Sequence, residues 1–410
     1  MRRIIFYTIT CVLLAMACRK AEYQRPPVGE KVPYVDPATS DLKTLLGRST
    51  QKLFFTAWQR SNMDSLLNIQ GKGIRFTIFV PDDAAMTAAG YTADKIAVAK
   101  VADLDSLLLF HVVPEYIDSA VVRSQQGNVR HKSMLKDRTL KEQVTRLGSN
   151  VLYTEAYSYK LFIGATADGS LLINGKNSGK VSPLYASNGV IYPITKPLVR
   201  PRKTMLNIID TDPRFTILSG LLKALDSTWE EVTYGWFERK MYEELNIKIG
   251  NLIVSDAFFA PTNEAFKKAG FNSVEDLMAL NARSMPYLDE EEGILYNEMF
   301  VTDSLLAYSQ WGRLFSIKSS AGYGDRVSAM FWSNDLNNVM LGNFALITSG
   351  NNVVPIYYVP FDFGTNAGQI TVKVKGSSYP AANIVEADIP TLQGPLHAID
   401  NLILGDKVKF

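Results

Sequence analysis

The sequence predicts an α+β protein built from two related domains in tandem, and three observations predict it. First, Phe79-Val80-Pro81-Asp82-Asp83-Ala84-Ala85-Met86 aligns with Phe259-Ala260-Pro261-Thr262-Asn263-Glu264-Ala265-Phe266, and Gly90-Tyr91 meets Gly270-Phe271 at the same offset of 180. Self-similarity at a fixed long spacing marks a repeated structural unit. Second, each half runs helical periodicity first and strand alternation last, the order of an α+β domain. Third, the endings match: Asn188-Gly189-Val190-Ile191-Tyr192-Pro193-Ile194 corresponds to Gln393-Gly394-Pro395-Leu396-His397-Ala398-Ile399, now at an offset of 205. The second copy therefore carries about 25 extra residues, with Trp229–Gly250 and Ser319–Pro360 as the candidate insertions.

Domain one spans 41–200. Asp41 caps a helix with Leu42, Leu45 and Leu46 on one face, and Leu53, Phe54, Ala57 and Trp58 continue a helical pattern until Gly71 and Gly73. Phe76-Thr77-Ile78-Phe79-Val80 is a strand stopped by Pro81, which has no N–H to give a ladder, and Asp82 or Asp83 caps the next helix. Leu161-Phe162-Ile163, Asp168-Gly169, Leu171-Leu172-Ile173 and Asn174-Gly175 read as strands and hairpin turns. Arg200-Pro201-Arg202-Lys203 is a short linker.

Domain two spans 204–404. Phe258-Phe259-Ala260 ends a strand, Pro261 stops it, Thr262 or Asn263 caps, and Glu264 places a negative charge in the first helical turn. Ile370–Lys375 alternates apolar with polar, so one face is buried and one wet.

The N-terminus reads as a targeting segment rather than as fold. Arg2 and Arg3, the apolar run Ile4–Leu14 and Ala15-Met16-Ala17 make a signal peptide over 1–17, with cleavage before Cys18. The apolar run is well short of the roughly 20 residues that span a bilayer. Cys11 leaves with the leader, so Cys18 would be a lone thiol in an oxidising compartment unless it is acylated. The segment resembles a bacterial lipoprotein signal, with Ala15 where leucine is commonest; ordinary cleavage and plain secretion fit the same residues. Prolines at 26, 27, 33 and 37 make 18–40 a tether, which at about 3.1 Å per residue reaches on the order of 60 Å from a membrane.

Thr77–Ala84 and Phe258–Phe266 resemble the first conserved box of the fasciclin family. Leu108–Pro114 resembles its second box, and Asn188–Tyr192 and Leu396–Asp400 its closing segment. Met299-Phe300-Val301 stands where the second copy should carry the His-Val-Val of the second box, and Tyr192 stands where the closing segment usually has His. The resemblance implies two β-sandwich or wedge domains packed with several helices. It further implies no cofactor, and adhesion or ligand binding as the role. With the leader, the chain resembles a tandem fasciclin lipoprotein of Bacteroidetes-type bacteria, lipid-anchored to the outer membrane, on its surface or periplasmic face. A structural or accessory role in an outer-membrane nutrient-uptake assembly is the alternative.

The 43 basic and 41 acidic residues are interspersed, which leaves no electrostatic footprint for nucleic acid. No Gly-x-Ser-x-Gly, phosphate loop or His-Glu-x-x-His element appears, and His111, His131 and His397 have no metal-ligand spacing, so neither catalysis nor a metal site is expected; loop carboxylates leave calcium open, without EF-hand spacing to support it. Asp289–Glu292 reads as a solvated face or loop. His111, flanked by Phe110 and Val112, reads as a partly buried histidine bonded to backbone; the resemblance links the same segment to adhesion. Trp229, Tyr234, Trp236, Phe237 and Tyr242 crowd an insertion among charged residues, where they either stack on a polysaccharide or protein ligand, or cover the domain junction or fill an enlarged core. The candidate ligand-binding residues are thus Trp229, Tyr234, Trp236, Tyr242, Phe110 and His111, with Cys18 for lipidation.

Overall fold

A computed structural model describes residues 39–408, apart from 72, 126, 146–151, 237–240, 249, 255–256, 298, 310–329, 343–344 and 348–355. Cys18, Phe237, the leader and nearly all of the tether lie outside the described residues, as does much of 319–360.

The first half runs α1 (Leu42–Arg48), α2 (Lys52–Arg60), α3 (Met63–Ile69), β1 (Phe76–Pro81), α4 (Asp83–Ala88), α5 (Ala93–Val98), α6 (Val101–Phe110), β2 (Val112–Val113), α7 (Ser119–Ser124), β3 (Val129–Thr145), β4 (Leu152–Ala165), β5 (Ser170–Ile173), β6 (Lys176–Lys180), β7 (Leu184–Ala186) and β8 (Gly189–Ile194). The second runs α8 (Met205–Thr211), α9 (Thr216–Val232), α10 (Met241–Glu244), β9 (Phe258–Pro261), α11 (Asn263–Lys268), α12 (Val274–Met278), β10 (Tyr287–Asp289), β11 (Ile294–Tyr296), α13 (Val301–Leu306), α14 (Asn338–Leu341), β12 (Ala345–Ile347), β13 (Ile356–Tyr358), β14 (Phe361–Asn366), β15 (Gln369–Val374), β16 (Ala382–Pro390) and β17 (Pro395–Ile399). Both halves are α+β.

β1 is buried at every position because it is covered on both faces. Ile78 and Val80 pack with Phe54, Trp58, Leu104 and Leu108 of the helices. Phe79 packs on the other side with Leu161, Ile163, Leu171 and Tyr192, which joins the sheet β2-β1-β8-β7 to the sheet β3-β4-β5-β6. The second half repeats this layering: Phe258 and Ala260 face the helical core, while Phe259 faces the core of the sheet β14-β15-β16-β17-β9. The Asn174-Gly175 turn between β5 and β6 has φ of 51° and 74°, the left-handed pair that a two-residue hairpin requires.

The repeat is a repeat of pairing register. β1 lies parallel to β8 with Phe79 opposite Tyr192 and Pro81 opposite Ile194; β9 lies parallel to β17 with Phe259 opposite His397 and Pro261 opposite Ile399. The paired rings stack alike, 5.7 Å apart at 26° for Phe79–Tyr192 and 5.5 Å at 31° for Phe259–His397. Asp82 N–H donates to Ile194 O and Thr262 N–H to Ile399 O, each at 3.0 Å.

The residues after each proline divide the capping work. Asp82 and Thr262 accept from the backbone N–H groups of Ala85 and Ala265 and so cap their own helices. Asp83 and Asn263 reach across instead, accepting from Leu53 N–H (2.8 Å) at the start of α2 and Ile217 N–H (3.0 Å) at the start of α9. Gly90 (φ 88°) and Gly270 (φ 94°) then end the short helices in the left-handed conformation.

From Ser40 onward the chain forms one compact unit. Ile253 and Leu392 of the second half belong to the core around Phe79. Lys141 N–H donates to Asn251 O and Ile253 N–H to Lys141 O, both at 2.8 Å, and Tyr157 Oη donates to Leu392 O at 2.8 Å. Asn128 donates to Asp335 from its backbone N–H (3.0 Å) and from Nδ2 (2.8 Å). Burial raises the pKa of Asp335, and the donated bonds from Asn128 and Trp332 oppose that rise.

Candidate functional site

The structure divides the predicted ligand residues. Trp229 is 2% exposed; its Nε1 donates to Asp303 at 3.1 Å and its ring meets Phe300 edge-on at 4.8 Å. It is a core residue of α9, and the ligand role expected for it is corrected: the long helix turns this indole inward despite its charged sequence neighbours. Tyr242 is half-buried against the helical core; its hydroxyl donates to Asp210 at 2.6 Å, and the Lys223 ammonium lies 5.0 Å from its ring centre. Tyr234 and Trp236 remain open to solvent at 68% and 64%. They sit on the turn that ends α9, where Tyr234 (φ 49°) and Gly235 (φ 73°) reverse the chain.

Phe110 and His111 are buried, so neither meets a ligand at the outer surface. Phe110 packs edge-on against Tyr159 at 5.9 Å. His111 Nδ1–H donates to Leu107 O at 2.8 Å, and Nε2 accepts the N–H of Leu198 at 2.9 Å. The two bonds fix the neutral tautomer. Burial lowers the pKa from 6.5 to about 4, against the opposing bond to Leu107. His111 thus ties the end of α6 to the segment leaving β8. Its backbone carbonyl also accepts Phe79 N–H at 2.9 Å, and the matching acceptor for Phe259 N–H is Ser309 O at 2.7 Å.

That bond corrects the expected alignment of the second box. Ser309, not Met299-Phe300-Val301, occupies the position of His111 in the second half. The offset between the halves grows from 180 at Phe79/Phe259 to 198 at His111/Ser309 and 205 at Ile194/Ile399. Eighteen of the 25 extra residues therefore lie between Gly270 and Ser309, ahead of Ser319–Pro360, and Trp229–Gly250 precedes β9 altogether and accounts for none of them.

The added segment carries a hairpin whose use the sequence reading missed. β10 pairs antiparallel with β11, Tyr287 opposite Tyr296. Leu288 is buried and Leu295 packs against the helical core, which leaves Tyr287 (56% exposed) and Tyr296 (45%) on the outer face. Their rings stack at 5.7 Å and 18°. Asp289, in the solvated acidic run, accepts the N–H groups of Glu291 (3.0 Å) and Glu292 (3.1 Å), which makes the turn. The signal available was Tyr-Leu and Leu-Tyr set symmetrically on either side of the Glu290–Gly293 turn.

Among the described residues, no group of three or more His, Cys, Asp or Glu side chains is arranged to hold a metal ion, and no helix is long and apolar enough to cross a membrane. Two tyrosines on a braced hairpin, with Tyr234 and Trp236 at a helix end, are equipped for stacking contacts.

Residues 50–200 match the family model of the fasciclin domain. The fasciclin match covers the first half; the second half carries the same strand register, cap pair and strand-to-helix bond. Among solved structures, the chain aligns with a FAS1 domain pair from the insect cell adhesion molecule fasciclin I, over 88% of this chain and 100% of that one, at 13% identity and a TM-score of 0.31. No curated protein matches the chain.

Proposed function

We propose that this chain is a non-catalytic binding module of the cell envelope, built from two fasciclin-like domains and held to the outer membrane by lipid on Cys18. Its contact surface is the aromatic outer face of the β10–β11 hairpin in the second half. The stacked, half-exposed Tyr287–Tyr296 pair carries this reading, because the hairpin is anchored through Leu288 and Leu295 and spends its tyrosines on solvent. Large rigid rings gain contact area at low entropic cost, and they suit the flat faces of sugar rings. The fasciclin match over 50–200 supports adhesion as the class of function.

The experiment is retention of lipid-anchored protein on immobilised polysaccharides, comparing wild type with Tyr287→Ala/Tyr296→Ala. The double variant is expected to unfold within about 0.5 kcal/mol of wild type, as surface substitutions do, and to lose retention. Unchanged retention excludes the hairpin as the contact. Retention that no glycan supports, with a stoichiometric membrane protein co-purifying in mild detergent, replaces adhesion by a role in an envelope assembly.

A further inference from the structure

The first half holds a cleft that the adhesion reading does not use. Asp103, Ser106, Leu107 and Phe110 recur at helical spacing along one stripe of α6, and this stripe faces the segment Pro197–Arg202 across a space of about 510 Å³. The floor is apolar, since Leu104, Leu107 and Phe110 are buried beneath it. The opposite wall is Leu198, whose N–H is held by His111 Nε2. Arg200 and Arg202 are among the lining residues, and among the described residues neither has a carboxylate within 4.0 Å. Asp137 feels the charge of Arg200 from beyond ion-pair distance. Asp103 is the lining carboxylate, on α6 across from the linker.

We propose that this cleft binds a medium-chain carboxylate, with the alkyl chain along Leu104, Leu107, Phe110 and Leu198 and the carboxylate on Arg200 and Arg202. The volume is in the range of small-ligand sites, about 300–1,000 Å³, and is too small for a folded partner. Apolar side chains beside charged and polar groups, as in this mixed lining, suit a ligand with an alkyl chain and an ionised head. Two lining guanidinium groups, neither with a carboxylate partner among the described residues, select an anion, because arginine matches the planar carboxylate with two parallel hydrogen bonds. Asp103 fixes the direction by repelling the head group from the helix side. His111 is a positioning residue here: it holds the Leu198 wall and touches no ligand.

Decanoate is titrated into the full chain by calorimetry, with methyl decanoate as the neutral isostere. Decanoate is expected to bind saturably and about tenfold more tightly than the ester, equivalent to about 1.4 kcal/mol. Arg200→Gln/Arg202→Gln should erase that preference while leaving the ester unaffected. Ser106→Phe, at a half-exposed position on the stripe, fills the cleft and should abolish binding of both; circular dichroism confirms that each variant is folded. Equal affinity for acid and ester in wild type, decanoate binding unchanged in either variant, or no saturable binding overturns the proposal.

Discussion

The first half passes from α5 to α6 through two residues, Ala99 and Lys100, whereas the second places a whole hairpin between α12 and α13. Below these connections the two halves are the same object. Phe79 and Phe259 occupy one position in a parallel strand pair, donate to one carbonyl at the end of a helix, and stack on the residue opposite. The difference teaches that the frame tolerates replacement at its attachments and demands little sequence identity to persist. Tyr192 and His397 fill the same stacking place, and His111 and Ser309 the same acceptor place.

The comparison is broken most severely at His111. A buried imidazole that closes two hydrogen bonds is not interchangeable with the Ser309 side chain, even though the two backbones do the same work. His111→Ala strands Leu107 O and Leu198 N–H in an apolar site and opens a cavity, for a loss of about 3–4 kcal/mol in denaturant unfolding. Ser309→Ala should cost about 1 kcal/mol or less, because the shared contact is its carbonyl. Equal losses would mean that the positions are not equivalent in the way the register says.

Acid sharpens the same contrast. The folded pKa of His111 is depressed from 6.5 to about 4, so between these values the unfolded chain binds a proton that the folded chain refuses. Stability from this residue is therefore present above pH 6.5 and is lost as pH falls toward 4, by about 3 kcal/mol. The raised pKa of Asp335 acts in the opposite direction, so the readout is the difference between wild type and His111→Asn, which should narrow across that window. A constant difference would show that His111 is charged in the fold.

A smaller effect tests sameness rather than difference. Asp83→Ala and Asn263→Ala each remove a cap given to a neighbouring helix, and each should cost about 1 kcal/mol. Matched losses support one frame used twice; a loss confined to one half breaks it.

Much of this frame was legible in the sequence. Strand, proline, cap, short helix and glycine recurred in register, and Asn174-Gly175 announced its hairpin, because these features follow from local backbone chemistry. The second-copy counterpart of His111 was not legible: it is defined by a carbonyl, which any residue supplies, and an insertion of changed length displaced it. Trp229 misled for a related reason. Its sequence neighbours are charged, but α9 is long enough to point them outward while the indole reaches Asp303 and Phe300. The tyrosine pair was hidden because its two members are nine residues apart and meet through β pairing alone.

The central claim, one frame held twice in a single unit, is tested most directly by amide hydrogen exchange at four matched groups. These are Phe79 and Asp82 in the first half and Phe259 and Thr262 in the second. Cores shared through Ile253 and Leu392 should make all four exchange only by global unfolding, at one common and slowest rate. Exchange at Phe259 and Thr262 while Phe79 and Asp82 stay protected would contradict the claim and leave two independent domains.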